Sequence, residues 1–153
     1  MAAGPTSPRW THIALPSSDL DASIAWYEEF TPLVAIDRRE DADGRSAWLS
    51  HPGQVEHPFV LVLVMFFKDQ GRRQPTMAPF AHLGIEVPRR DDVLALAERG
   101  RAAGCLAWEP ADLPPPVGFV CALHDPDGNV VEISHDQGVY AKVQEVFGPS
   151  ATA

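Results

Sequence analysis

Cysteine is scarce in this chain of 153 residues: Cys105 and Cys121 stand alone, with no short-spaced partner. That excludes a disulfide framework and a short-spaced zinc motif, and leaves two reduced thiols in strand-like segments. Positive charge is also scarce. Twelve Lys and Arg face 21 Asp and Glu, a formal net charge of −9, and the basic residues form only short pairs such as Arg38–Arg39, Arg72–Arg73 and Arg89–Arg90. Phosphate binding needs a clustered basic surface, so nucleic acid is not an expected partner. Long apolar runs are absent. The longest, Phe59 to Phe67, has nine residues, where a membrane helix needs about 20. The first ten residues, MAAGPTSPRW, lack the apolar stretch of a signal peptide. The expectation is a cytoplasmic protein with no membrane partner. The chain also lacks a phosphate-binding glycine loop, a nucleophile elbow and a dinucleotide fingerprint.

What is present is an ordinary globular composition, 45% hydrophobic and 22% charged, with enough chain to bury a core unaided. It also contains a repeat. WTHIAL (Trp10 to Leu15) and FAHLGI (Phe80 to Ile85) share one pattern: aromatic, small or hydroxylated, His, aliphatic, small, aliphatic. Their histidines, His12 and His82, lie 70 residues apart. Each segment reads as a strand and is followed by a helical pattern. In the first helix Leu20, Ile24, Tyr27 and Phe30 form the apolar stripe, with Ser17 or Ser18 as the cap and Ser18 with Asp21 as a loose capping box. The second helix starts near Arg90, buries Val93, Leu94, Leu96 and Ala97, and ends at Gly104. Three strand-like segments follow each helix: Leu33–Arg39, Arg45–Ser50 and Phe59–Phe67, then Cys105–Trp108, Val117–His124 and Asn129–Ser134. DADG reads as a hairpin turn, and Pro114–Pro116 as a stiff loop.

The expected fold is therefore α+β, with two βαβββ modules forming an incomplete β-barrel. A single domain would span 9–135, with modules 9–67 and 80–135 and a joint at 68–79. A tail, 136–153, would carry a short helix at Val139 to Phe147, whose apolar stripe (Val139, Val143, Val146, Phe147) suits core or dimer packing.

Side chains alternate along a strand. His12 and His82 then lie opposite the aliphatic positions that would meet the helices. Each is followed on its own face by a small residue, Ala14 or Gly84. In DPDGNVVEIS the turn-forming Asp-Pro-Asp-Gly leads into a strand whose one carboxylate, Glu132, shares a face with Val130 and Ser134. A buried carboxylate needs a partner. Two imidazoles and a carboxylate converging on a cavity would supply a metal site with open positions. His51, His57 and His124 are weaker candidates for a catalytic proton carrier, and His135 for a residue supporting the ligands. Trp10, Trp26, Trp48 and Trp108 can pack a core or line a pocket.

The βαβββ repeat, THIALPSSDLDASIAWYEEF, FAHLGIEV and DPDGNVVEIS together resemble the vicinal oxygen chelate superfamily over about residues 9 to 135. That superfamily includes glyoxalase I, extradiol dioxygenases, fosfomycin-resistance transferases, methylmalonyl-CoA epimerase and bleomycin-binding proteins. The resemblance implies a divalent metal (Fe, Mn, Ni, Co or Zn) held by His12, His82 and Glu132. It also implies a homodimer and a small-molecule substrate with vicinal oxygens. On this reading a glyoxalase-like lyase or isomerase ranks first and an Fe(II) extradiol-type dioxygenase second; a metal-free antibiotic binder of bleomycin type is the alternative from another class. The strand PFVLVLVMFF offers only apolar residues where glyoxalase I has a fourth ligand, a glutamate. The interval Phe119 to Leu123 has no Tyr of the kind extradiol enzymes carry.

Overall fold

The structure is a computed structural model that describes residues 11–77 and 81–148. Trp10 and Phe80, the aromatics that open the repeat, lie outside the described residues. Two compact units divide between Pro75 and Thr76, and each has the same order of elements. The first holds β1 (His12–Pro16), α1 (Leu20–Phe30), β2 (Val34–Glu40), β3 (Gly44–Ser50) and β4 (Val60–Phe66). The second holds β5 (His82–Glu86), α2 (Arg90–Ala102), β6 (Leu106–Leu113), β7 (Gly118–His124) and β8 (Val130–His135), followed by α3 (Val139–Phe147).

Each unit carries one four-stranded mixed sheet, ordered β1-β4-β3-β2 in the first and β5-β8-β7-β6 in the second. In both, the strand before the helix pairs in parallel with the last strand, and the other pairs are antiparallel. The α+β class and the two βαβββ modules stand as the sequence predicts. Neither sheet closes on itself.

One face of each sheet packs on its helix. In the first unit Leu15, Leu49, Leu61, Leu63 and Met65 are buried with the α1 stripe of Leu20, Ile24, Tyr27 and Phe30. The cap of α1 differs from expectation. Asp19, not Ser17 or Ser18, is the N-cap, its carboxylate accepting from the Ala22 amide at 3.1 Å. Ser17 is buried and shares a hydrogen bond with Ser23, so its hydroxyl is committed elsewhere.

In the second unit Val93 and Ala97 of α2 are buried, but Leu94 is exposed. The side meeting the sheet continues through Gly100, where a Cβ would stand 2.2 Å from Leu123 Cδ2. After α2, Gly104 takes φ +72°. Its amide donates to Arg101 O, and the Cys105 amide donates to Gly100 O at 2.8 Å, the paired bonds of a Schellman ending.

β6 runs five residues beyond the predicted end at Trp108, through Pro110. It is an edge strand with register shifts on both sides of Trp108, where a missing N–H is tolerated. On α3, Val139, Tyr140, Val143 and Phe147 are all exposed, so this stripe is not core within the chain; the Val146 side chain lies outside the described residues. Among the described residues no helix is long and apolar enough to cross a membrane.

Candidate metal centre

The turn Asp125–Gly128 sets the start of β8. Gly128 adopts φ +90°, and the buried Asp125 carboxylate accepts from the amides of Asp127 at 3.0 Å and Asn129 at 2.7 Å. Its second oxygen accepts from Asn129 Nδ2 at 2.9 Å. The acids of DPDGNVVEIS therefore divide their work. Asp125 is consumed in holding the turn, an Asx-type arrangement, and Glu132 is carried two residues into the strand.

Glu132 sits on the sheet face opposite α2, in one row with Gly84 of β5 and Ala122 of β7. It is 6% exposed. Both neighbours in the row are small, and a Cβ added at Gly84 would meet nothing within 4 Å. Space is thus left beside a buried carboxylate. His82, one row earlier opposite Val130, turns its ring towards that space. Its Nε2 lies 3.6 Å from Glu132 Oε2, beyond hydrogen-bond length. Two ligands at usual cation distances, with a tetrahedral angle between them, stand about 3.4 Å apart. An imidazole and a carboxylate at this separation, one of them buried, fit a divalent cation of the Mn to Zn range.

Two further side chains complete the surroundings. Trp108 packs edge-on against His82, with ring centroids 5.6 Å apart. These residues come from opposite edge strands, nominally three strand spacings or about 14 Å apart. The contact therefore requires a strongly curled sheet and small residues between. Gln137, just beyond β8, donates from Nε2 to Glu132 Oε1 at 2.9 Å, so the other oxygen, Oε2, is the one turned to His82.

Gln137 was not a site candidate from the sequence, and Trp108 was one only as a member of the four tryptophans able to line a pocket. Trp108 pairs with Ala122, hence with the Glu132 face. The bulge between Leu106 and Trp108 reverses the alternation that counting would give. Gln137 lies past the strand, where periodicity has no meaning.

The remaining candidates are placed as follows. His12 starts β1, is exposed, and its Nδ1 is 2.9 Å from Thr11 Oγ1. Its place in the first unit matches that of His82 in the second: His12 is opposite Val60 as His82 is opposite Val130. Ala14 faces Val62 as Gly84 faces Glu132, so the first unit holds valine where the second holds the carboxylate. Among the described residues no group of three His, Cys, Asp or Glu gathers around one point; the pair brought together is His82 and Glu132.

His124 ends β7, exposed, in the same row as His82 and Val130. His51 and His57 belong to the first unit. His51 Nδ1 accepts from the Gly53 amide at 2.7 Å, a structural use, and His57 is exposed. His135 Nδ1 lies 3.3 Å from Val87 O.

A cavity of about 580 Å3 opens elsewhere on the second unit, lined by Arg90, Asp112, Phe119, His135 and Asp136 among others. Arg90 stacks 3.5 Å above the Phe119 ring and donates two hydrogen bonds to Asp112. Those bonds hold the Asp112 carboxyl below its ordinary range. Its cation is thereby already matched by an anion.

Comparison with known proteins agrees with this fold. The sequence model described as the Glyoxalase/Bleomycin resistance protein/Dioxygenase superfamily matches residues 9–133. An uncharacterized protein of Pseudomonas aeruginosa, PA2024, is 42% identical over 133 residues, covering 86% of this chain and 91% of its own. The trypanothione-dependent glyoxalase I of Leishmania major superposes with a TM-score of 0.66 at 22% identity, over 96% of this chain and 100% of its own. A variant of the fosfomycin resistance protein FosX from Listeria monocytogenes, complexed with Mn(II), superposes with a TM-score of 0.61 at 18% identity, over 94% of this chain and 99% of its own. The chain belongs to the Glyoxalase/Bleomycin resistance protein/Dioxygenase superfamily.

Proposed function

We propose that this protein is a divalent-metal enzyme, a glyoxalase-like lyase or isomerase acting on a small molecule with vicinal oxygens. The observation that carries the reading is the buried Glu132 carboxylate facing His82 Nε2 at 3.6 Å, beside the open space over Gly84. A carboxylate taken from water at that depth needs charge compensation, which a bound cation supplies. His82 and Glu132 would hold the cation, and His12 is proposed as a third ligand because it occupies the register position in the first unit that His82 occupies in the second. When bound, the cation would polarise two adjacent substrate oxygens and stabilise the negative charge that develops on them.

The chain's own residues supply the rest. Gly84 and Ala122 leave volume next to the carboxylate, and Trp108 sets an apolar ring edge-on against His82. Of the three histidines considered as proton carriers, His124 shares both the sheet and the face of the pair, so it is the one proposed. A homodimer, a cytoplasmic location and the absence of nucleic-acid and membrane partners are part of the same reading, on the sequence arguments above. The Mn(II) complex of the FosX variant supports metal-dependent chemistry on this fold.

The experiment is a turnover assay on protein loaded with Mn(II), Co(II), Ni(II), Zn(II) or Fe(II), offered hemithioacetals and catechols. The expected result is hemithioacetal isomerisation that disappears with a chelator and in Glu132→Ala. Ring cleavage of a catechol with Fe(II) and dioxygen, without isomerisation, would overturn the assignment.

A further inference from the structure

The segment after β8 is held by backbone hydrogen bonds on two sides. Asp136 adopts φ +59°, a left-handed turn that Asp tolerates. The Gln137 amide then donates to Glu86 Oε1 at 2.9 Å, and the Gly138 amide donates to Pro116 O at 2.8 Å. The backbone of the turn is fixed on one side by β5 and on the other by the loop between β6 and β7. A Cβ on Gly138 would stand 3.1 Å from Pro116 Cβ, and one on Gly118 would stand 2.4 Å from His135 O. From this fixed backbone the Gln137 side chain reaches back five residues and donates to Glu132 Oε1 at 2.9 Å.

We propose that Gln137 is a positioning residue for the cation site: it fixes the rotamer of the Glu132 carboxylate so that Oε2 faces His82. This rests on the metal reading of Glu132 and His82. An amide donor bonds one carboxylate oxygen and leaves the other, Oε2, available as a ligand. A carboxylate so held also has less rotamer freedom to lose when a cation binds. Glu86 acts at one remove: by accepting from the Gln137 amide it holds the start point from which the side chain reaches.

Gln137→Ala is a clean deletion, because the bond to Glu86 comes from the backbone and survives. Gln137→Met keeps the length of the side chain while removing the donor. Mn(II) affinity, followed by electron paramagnetic resonance, and the visible spectrum of bound Co(II) are the readouts. They are measured alongside the melting temperature of the metal-free proteins. The expected result is that both variants lose about tenfold to a hundredfold in Mn(II) affinity, with an altered Co(II) band pattern and an unchanged metal-free melting temperature. Affinities within about twofold of the parent in both variants, beside a lost site in His82→Ala, would overturn the role of Gln137 alone. If His82→Ala binds Mn(II) like the parent, or the parent binds none, the metal reading falls and this inference with it. Should Gln137→Ala fail to fold, the Gln137→Met affinity and spectrum decide.

Discussion

Two acidic groups on neighbouring strands, Glu132 and Cys121, show how a residue's meaning depends on the face it occupies. Ala122 of β7 is opposite Glu132, whereas Cys121 is opposite Ile133 and so points to the helix side. There it is fully buried, with Sγ 3.7 Å from Val93 O. Burial, reinforced by the charges of Glu109 and Glu132, pushes the Cys121 thiol up to about 11. A group whose folded value is raised contributes stability that is full below its ordinary value of 9.0 and lost as pH climbs through the folded value. Stability is therefore expected to decline between pH 9 and 11 on account of this thiol. Iodoacetamide at pH 8 is expected to label Cys121 only after the protein is unfolded in urea, as read by peptide mass spectrometry. Equal labelling of folded and unfolded protein would contradict its placement. The opposite face, with its small residues at Gly84 and Ala122, leaves room beside Glu132.

At the scale of elements, strand parity assigns side chains to faces wherever strands are regular and fails where they are not. His82 and Glu132 could be placed on one face from the sequence because β5 and β8 alternate without interruption over Leu83–Ile85 and Val131–Ile133. Trp108 could not, because a bulge in β6 turns it over. Gln137 could not, because it is set by a turn whose shape follows from tight backbone contacts with Gly118 and Pro116. The α1 cap shows the same limit on a smaller scale: three neighbouring residues, Ser17, Ser18 and Asp19, were chemically able to cap, and packing of Ser17 against Ser23 left Asp19 to do so. The Gly118 contact makes a prediction of its own. Gly118 has φ +85°, and its missing Cβ would overlap two carbonyl oxygens, His135 O and Asp136 O. Gly118→Ala combines backbone strain with that overlap and is expected to destabilise the protein by about 1–3 kcal/mol, measured by urea denaturation. A loss below about 0.5 kcal/mol, the range of an ordinary surface substitution, would contradict the close approach.

At the scale of the whole molecule, the chain repeats one unit, and the second copy carries a carboxylate where the first has valine. The register makes this concrete: His12, Ala14, Val60 and Val62 correspond to His82, Gly84, Val130 and Glu132, each 70 residues further on. The histidine repeat was readable directly, since strand, helix and turn signals recur at the same spacing. The lack of a carboxylate on this strand of the first unit was readable too, because PFVLVLVMFF is apolar throughout. What the chain holds between these points, namely the curl that brings Trp108 to His82 and the turn that brings Gln137 to Glu132, depends on contacts distant in sequence. The central claim is that Glu132 and His82 hold a divalent cation. Its most direct test is elemental analysis by mass spectrometry of the parent, His82→Ala and Glu132→Ala, each purified without added metal, then equilibrated with Mn(II) and desalted, with circular dichroism to confirm folding. The account predicts stoichiometric metal in the parent and its loss from both folded variants. Unchanged metal content in His82→Ala, or a parent that retains none, would contradict it.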